Sequence, residues 1–211
     1  MIVWGLLLGL GLLILYRQKL ADEWKAFRTN SREWFHEKWK NWGEPFVVAG
    51  ILAILIRTFL LGPYKIPTGS MIPTFLVGDR IFVDKVSYRF HPPQRGDIIV
   101  FKYPLDRKKD FVKRLVGLSG EHVEIKEGKL YVNGRVLDEK VFTKNYYYNV
   151  KDGRFGFENQ VIDVPMDSYF VLGDNSAHSS DSRMWGFVPK KNVVGRAFLI
   201  WWPLQRIKMA E

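Results

Sequence analysis

The sequence predicts a mainly β protein: one antiparallel β-sheet domain carried on two N-terminal transmembrane helices. Three observations support this. Two apolar runs lie within the first 63 residues, a basic and aromatic stretch separates them, and the chain from residue 64 onward falls into short alternating segments punctuated by turn residues. The boundaries are residues 1–16 for the first span, 17–45 for the loop, 46–63 for the second span, 64–205 for the β-domain and 206–211 for a C-terminal tail.

The first run, residues 2–16 ("IVWGLLLGLGLLILY"), is uncharged and is followed at once by "RQK". At about 1.5 Å per residue it is short for a hydrocarbon core of about 30 Å, so flanking residues complete the crossing. A cleaved signal peptide would carry its positive charge before the apolar run and a small-residue site after it. Here the charge follows the run and no such site appears, so the segment reads as a retained anchor. The second run, residues 46–62, is interrupted only by Arg57, close enough to its end to snorkel to the head groups.

The loop holds Arg17, Lys19, Lys25, Arg28, Arg32, Lys38 and Lys40. Positive-inside logic places it in the cytoplasm and both termini outside. Its Leu20, Trp24, Phe27, Trp34 and Trp42 recur near helical spacing, as in an interfacial amphipathic helix or a helix packed on another protein.

From residue 80 the strand candidates are "RIFVDKVS", "GDIIVFKYP", "DFVKRLVGL", "HVEIKEGKLYVNGRVL", "SYFVLGDN" and "GRAFLIWWP", each bounded by Gly, Pro, Asn or Asp. "EGK" and "NGR" mark hairpin turns within the fourth. Residues 142–160 read as an irregular insertion, while "IFVD" at 81–84 and "WW" at 201–202 suggest contact with the membrane or ordinary core. The whole chain of 211 residues is 47% hydrophobic and carries a net charge of +10 spread along its length, which suits an anionic surface better than a dedicated nucleic-acid arm. It has no cysteine, which excludes disulfides, a thiol nucleophile and a cysteine-based zinc site.

The chemistry centres on "YKIPTGSMIPTF", residues 64–75, where Ser70 stands between Gly69 and Met71 directly after the second span. Turns need Gly and Pro, but a serine held just outside a membrane can also be a nucleophile, and then it needs a base within reach. Of the four histidines, His36, His91 and His122 carry no triad signature, and His178 in "GDNSAHSSDSRMWG" stays open. No paired-His spacing suggests a metal. Lys113 in "DFVKRLVG" lies between apolar neighbours: as a strand, Phe111, Lys113 and Leu115 share one face and Val112, Arg114 and Val116 the other. A lysine so placed either loses its proton to desolvation and becomes a base, or snorkels from an edge strand.

"PTGSMIPT", "RGDIIVF", "DFVKRLVGLSGE" and "GDNSAHSSDSRMWGFVP", in this order behind two spans, together resemble bacterial type I signal peptidase over nearly the whole chain. The resemblance implies a serine endopeptidase with Ser70 as nucleophile and Lys113 as general base. It makes Thr68 and the Ser70 N–H similar to the family's oxyanion donors, and Ser179 similar to the residue that orients the lysine amine. Asp181 and Arg183 look like a supporting ion pair, Asp174 like the partner of Arg114, and Ile66, Pro67, Met71, Phe75, Phe111 and Val112 like the apolar walls that accept small side chains. Thr68 stands where Ser is commoner, and Ser176 where many relatives carry Arg. The implied partners are preprotein signal peptides cut after an Ala-x-Ala-like site, the phospholipid bilayer and, by proximity, the secretion translocon. No nucleic acid, cofactor or metal is implied. The implied location is the bacterial cytoplasmic (inner) membrane, with multiple spans and the β-domain on the extracytoplasmic side. A Ser–Lys self-cleaving repressor would carry a DNA-binding helix-turn-helix in place of the spans. A relative devoted to one substrate would share every motif, and a non-catalytic membrane-anchored binding module would not need Ser70 and Lys113 together.

Overall fold

The computed structural model describes residues 2–210 except 144 and 146, with the side chains of residues 2–15 left aside. The chain divides into two compact units, Met1–Leu55 and Ile56–Glu211.

In the first unit, α1 runs unbroken over Ile2–Thr29, past the boundary drawn at residue 16. Apart from Tyr16, which is exposed, the first predicted span falls on residues whose side chains lie outside the described ones. Asn30 ends α1 and caps α2 (Ser31–Lys38), its Oδ1 accepting the Glu33 N–H at 3.4 Å. A π-helical turn, Trp39–Gly43, leads into α3, Glu44–Leu55. The helical run Ser31–Leu60, with a mean hydropathy of 1.7 in its most apolar window, is the one helix among the described residues long and apolar enough to cross a membrane.

The helix stops at Leu60, short of the predicted limit of 63, because strand β1 (Leu61–Lys65) starts there. Its Pro63 has no N–H to offer a ladder, which an edge strand tolerates, and β1 is the edge of its sheet. The remaining strands are β2 (Arg80–Asp84), β3 (Ile98–Lys102), β4 (Asp110–Gly117), β5 (His122–Lys126), β6 (Lys129–Val132), β7 (Arg135–Val136), β8 (Ile162–Asp163), β9 (Ser168–Leu172), β10 (Val188–Pro189), β11 (Val193–Trp202) and β12 (Lys208–Met209). Two short helices, α4 (Lys140–Thr143) and α5 (Ser182–Trp185), interrupt them. Every pairing is antiparallel. The larger sheet has the order β1-β2-β11-β3-β4-β9-β10 with β12 also on β11, and the smaller one the order β7-β6-β5-β8.

Alternation along the strands builds the core. Ile81 and Val83 of β2 are fully buried, so they are core and not membrane contacts, whereas Phe82 on the opposite face stacks on Trp201 at 5.4 Å. Ile66, Met71, Phe75, Ile98, Val100 and Ala197 fill one cluster, and Ile99, Phe101, Leu115, Val171 and Trp185 another. The segment read as a tail belongs to the domain. A turn at Leu204–Arg206 reverses the chain after Pro203, β12 pairs with β11 (Leu199↔Met209), and the Ala210 N–H donates to the Phe198 carbonyl at 2.8 Å.

Candidate active site

Ser70 lies at the tip of a loop zipped at its base. The Ile66 N–H donates to the Asp79 carbonyl at 2.8 Å, and the Gly78 N–H to the Ile66 carbonyl at 2.9 Å. Between these ends, Gly69–Met71 form one 3₁₀ turn. Thr68 before it is extended, and Ile72 after it returns its N–H to the Gly69 carbonyl. The segment after β9 holds this turn from the other side. The Asn175 N–H donates to the Ser70 carbonyl at 3.1 Å, and Asn175 Nδ2 to the Gly69 carbonyl at 3.0 Å. Asn175 stands in a quoted motif, but its residue type alone points to no role; only the folded backbone reveals what it grips.

Lys113 projects from β4 and its Nζ lies 2.8 Å from Ser70 Oγ, bridging residues 43 apart in sequence. The amine donates to the Val112 carbonyl at 3.0 Å and sits 5.5 Å from the centre of the Phe111 ring. With the residue only 4% exposed, water is largely excluded. Burial pushes the amine pKa down to about 8, against the opposing pull of the Asp181 and Asp174 carboxylates. At pH 7 roughly one amine in ten is then neutral, where an ordinary lysine would be neutral about once in some thousands.

Two buried ion pairs, Arg114–Asp174 and Arg183–Asp181, lie close to Ser70 and Lys113. Arg114 grips Asp174 with Nε and Nη2, both at 2.7 Å, and donates from Nη1 to the Gly96 carbonyl. Thr74 Oγ1 donates to Asp174 at 2.5 Å, tying this pair to the serine loop. Arg183 grips Asp181 in the same forked way at 2.8 Å. Asp181 accepts the Gly173 N–H, and Arg183 reaches Ser176 Oγ, the Ser176 carbonyl and the Tyr148 carbonyl. Ser176 is therefore integrated into the Arg183 network through its hydroxyl.

Ser179 departs from expectation. Its Oγ is buried without a hydrogen-bond partner among the described residues, and the amine bonds to the Val112 carbonyl. Ser179 packs instead across Gly173, where a Cβ would lie 2.1 Å from Ser179 Oγ and 2.5 Å from the Ser70 carbonyl oxygen. Thr68 Oγ1 stands 3.5 Å from Ser70 Oγ, on the open side.

A cleft of 310 Å³ opens onto Ser70 and Lys113, lined also by Pro67, Thr68, Asp110, Phe111, Val112, His178 and Ser180. Of the six apolar wall residues, Pro67, Phe111 and Val112 face this cleft. Ile66, Met71 and Phe75 are packed in the core beneath it, at 2% exposure or less. Chemically, the cleft offers a hydroxyl beside a partly neutral amine, a second hydroxyl nearby and apolar walls. That suits attack of an oxygen nucleophile on an acyl carbon.

The family model "Signal peptidase, peptidase S26" matches residues 39–202. Signal peptidase I of Leptolyngbya laminosa is 44% identical over 165 residues, covering 74% of this chain and 76% of that protein. The Synechocystis sp. protein named "Probable signal peptidase I-2" is 42% identical over 175 residues, covering 80% and 76% respectively. A crystal structure of a signal peptidase I from Enterococcus faecalis is 37% identical, with a TM-score of 0.39, covering 50% of this chain and 97% of that one.

Proposed function

The chain belongs to the signal peptidase family, peptidase S26, and on that premise we propose that it is a membrane-bound Ser–Lys endopeptidase. It releases exported proteins from their signal peptides by cutting after a small residue. One observation carries this reading: the Lys113 amine, buried and lowered to about 8, lies 2.8 Å from Ser70 Oγ. A neutral amine there has a lone pair for the serine proton, which a protonated one lacks.

In this reading the reaction is acyl transfer to serine followed by hydrolysis. The end of the signal peptide lies extended in the cleft, where Pro67, Phe111 and Val112 leave room for small side chains. Neutral Lys113 takes the Ser70 proton as Oγ attacks the scissile carbonyl carbon. The oxyanion that forms meets Thr68 Oγ1 and the Ser70 N–H, donors of the kind that contribute about 3–4 kcal/mol each when aligned. Collapse breaks the C–N bond, with Lys113 returning its proton to the leaving amine. The Lys113 amine, neutral again, then takes a proton from water, whose oxygen attacks the acyl-serine ester and frees the signal peptide. Ser70 recovers its proton from Lys113.

The helical run Ser31–Leu60 supplies the membrane attachment in this reading. The basic loop faces the cytoplasm and the β-domain the far side of the cytoplasmic membrane, near the translocon that delivers substrates. The test is incubation of the detergent-solubilised protein with a mixed set of preproteins, sequencing the new N-termini. Cleavage after Ala-x-Ala-like sites is expected, with nearly all of it lost in Ser70→Ala and in Lys113→Ala. Because the two act as a unit, the double variant should be little worse than either. Undiminished cleavage by Lys113→Ala would refute the dyad.

A further inference from the structure

Among its described residues the β-domain holds three buried carboxylates, Asp79, Asp174 and Asp181, all at 4% exposure or less. Each is gripped by the fork of an arginine: Arg114 takes Asp174, Arg183 takes Asp181, and Arg206 takes Asp79. The first two pairs belong to the site already described. The third joins Arg206 to the base of the serine loop, 127 positions away, and touches neither Ser70 nor Lys113 directly.

Arg206 Nε lies 2.9 Å from Asp79 Oδ1, and Nη2 2.9 Å from Oδ2. Nη2 also reaches the Thr74 carbonyl at 3.4 Å. Asp79 in turn accepts the Leu76 N–H with Oδ2 at 2.9 Å, and its own carbonyl accepts the Ile66 N–H. Ile66 and Asp79 close the loop that carries Ser70 at its tip, and Thr74 lies between the tip and the return. One guanidinium therefore bridges the base of the loop and the limb after the serine. Arg206 is itself fixed, because β12 and the Ala210–Phe198 hydrogen bond fasten the chain just beyond it to β11.

We infer that Arg206 is a positioning residue for the nucleophile: through Asp79 and the Thr74 carbonyl it holds the loop so that Ser70 Oγ stays on the Lys113 amine. The inference rests on the Ser70–Lys113 reading. A loop that relaxes outward separates hydroxyl from amine and admits water to the amine. Misplacement by about 1 Å at a reacting group costs on the order of 100-fold in rate. Rehydration also relieves the desolvation that keeps the amine low, so its titration moves back toward that of an ordinary lysine.

The test uses the full-length protein in detergent, a peptide with Ala-x-Ala before the scissile bond, and kcat and KM measured across pH. Arg206→Ala strips a buried carboxylate of its partner and can unfold the domain. A second variant, Asp79→Asn with Arg206→Gln, therefore removes both charges together. In whichever variant stays folded by circular dichroism, kcat should fall at least about tenfold with KM changed less than about threefold, and the rising limb of the profile should move to higher pH. Arg206→Lys should recover part of kcat, having the charge without the fork. A folded double variant with wild-type kcat and an unmoved limb would overturn the role. A loss of activity that tracks only the unfolded fraction, with an unmoved limb, would overturn it equally. The wild-type profile tests the lysine reading separately, since a limb absent there counts against Lys113 and not against Arg206.

Discussion

Replacing Gly173 by alanine should disable the site while leaving most of the domain folded. The new Cβ would lie 2.5 Å from the Ser70 carbonyl oxygen and 2.1 Å from Ser179 Oγ, and Cβ contacts under 3.0 Å essentially never occur. The Ser179 Cβ, 2.6 Å from the new one, is cleared only by a backbone shift, whereas the Ser179 hydroxyl, with no hydrogen bond to lose, can swing away. The Ser70 carbonyl cannot. It accepts the Asn175 N–H and belongs to the backbone that aims the nucleophile, so the serine turn must retreat by roughly half an ångström. Overpacking of this kind costs about 1–3 kcal/mol of stability, and a nucleophile displaced by a good fraction of an ångström loses up to about 100-fold in turnover. Thermal melting and peptide-cleavage kinetics on Gly173→Ala separate the two effects. Adding Ser179→Ala removes only the Oγ contact, so it should recover a small part of the melting temperature and little of kcat, since the clashes with the position-179 Cβ and the Ser70 carbonyl remain. A Gly173→Ala enzyme with wild-type kcat would refute the reasoning.

Three further outcomes are expected. Thr68→Ala should lower kcat by about 10²–10³-fold with a modest change in KM, as loss of one oxyanion donor does, and an unchanged kcat would remove Thr68 from that role. Arg183→Ala should destabilise the domain by about 3–5 kcal/mol in denaturant titration, because it leaves the fully buried Asp181 without its cation. Protease added to intact spheroplasts should trim the β-domain and spare the basic loop; protection of the β-domain until lysis would reverse the proposed orientation.

Much of this was legible in the sequence because the signals were local. β2, β5 and β6 announce themselves by alternation, β3 by a continuous apolar run, and turn residues such as those of "EGK" and "NGR" mark the hairpins. Ser70 and Lys113 lie in motifs whose order and spacing resemble one family, and the fold brings them to 2.8 Å. What escaped was non-local or carried by the backbone. β1 was hidden because "LLG" continues the apolar character of the helix, and only pairing with β2 makes it a strand. The Val112 carbonyl that receives the amine has no residue-type signature. Arg206 and Asp79 are too far apart for any spacing rule, so the last residues read as a tail. Ile66, Met71 and Phe75 are wall residues only by the family resemblance, and apolar character alone does not tell a wall from the core behind it.

The most direct test of the central claim is the pH dependence of kcat/KM between about pH 6 and about pH 10, for the wild-type enzyme and for Lys113→Arg. The base must be neutral, so activity should increase about tenfold per pH unit at low pH, bend near a value of about 8, and level off above it. Lys113→Arg should be inactive throughout, because a guanidinium keeps its proton over this whole range. A flat wild-type profile, or an active Lys113→Arg enzyme, would contradict a lysine base.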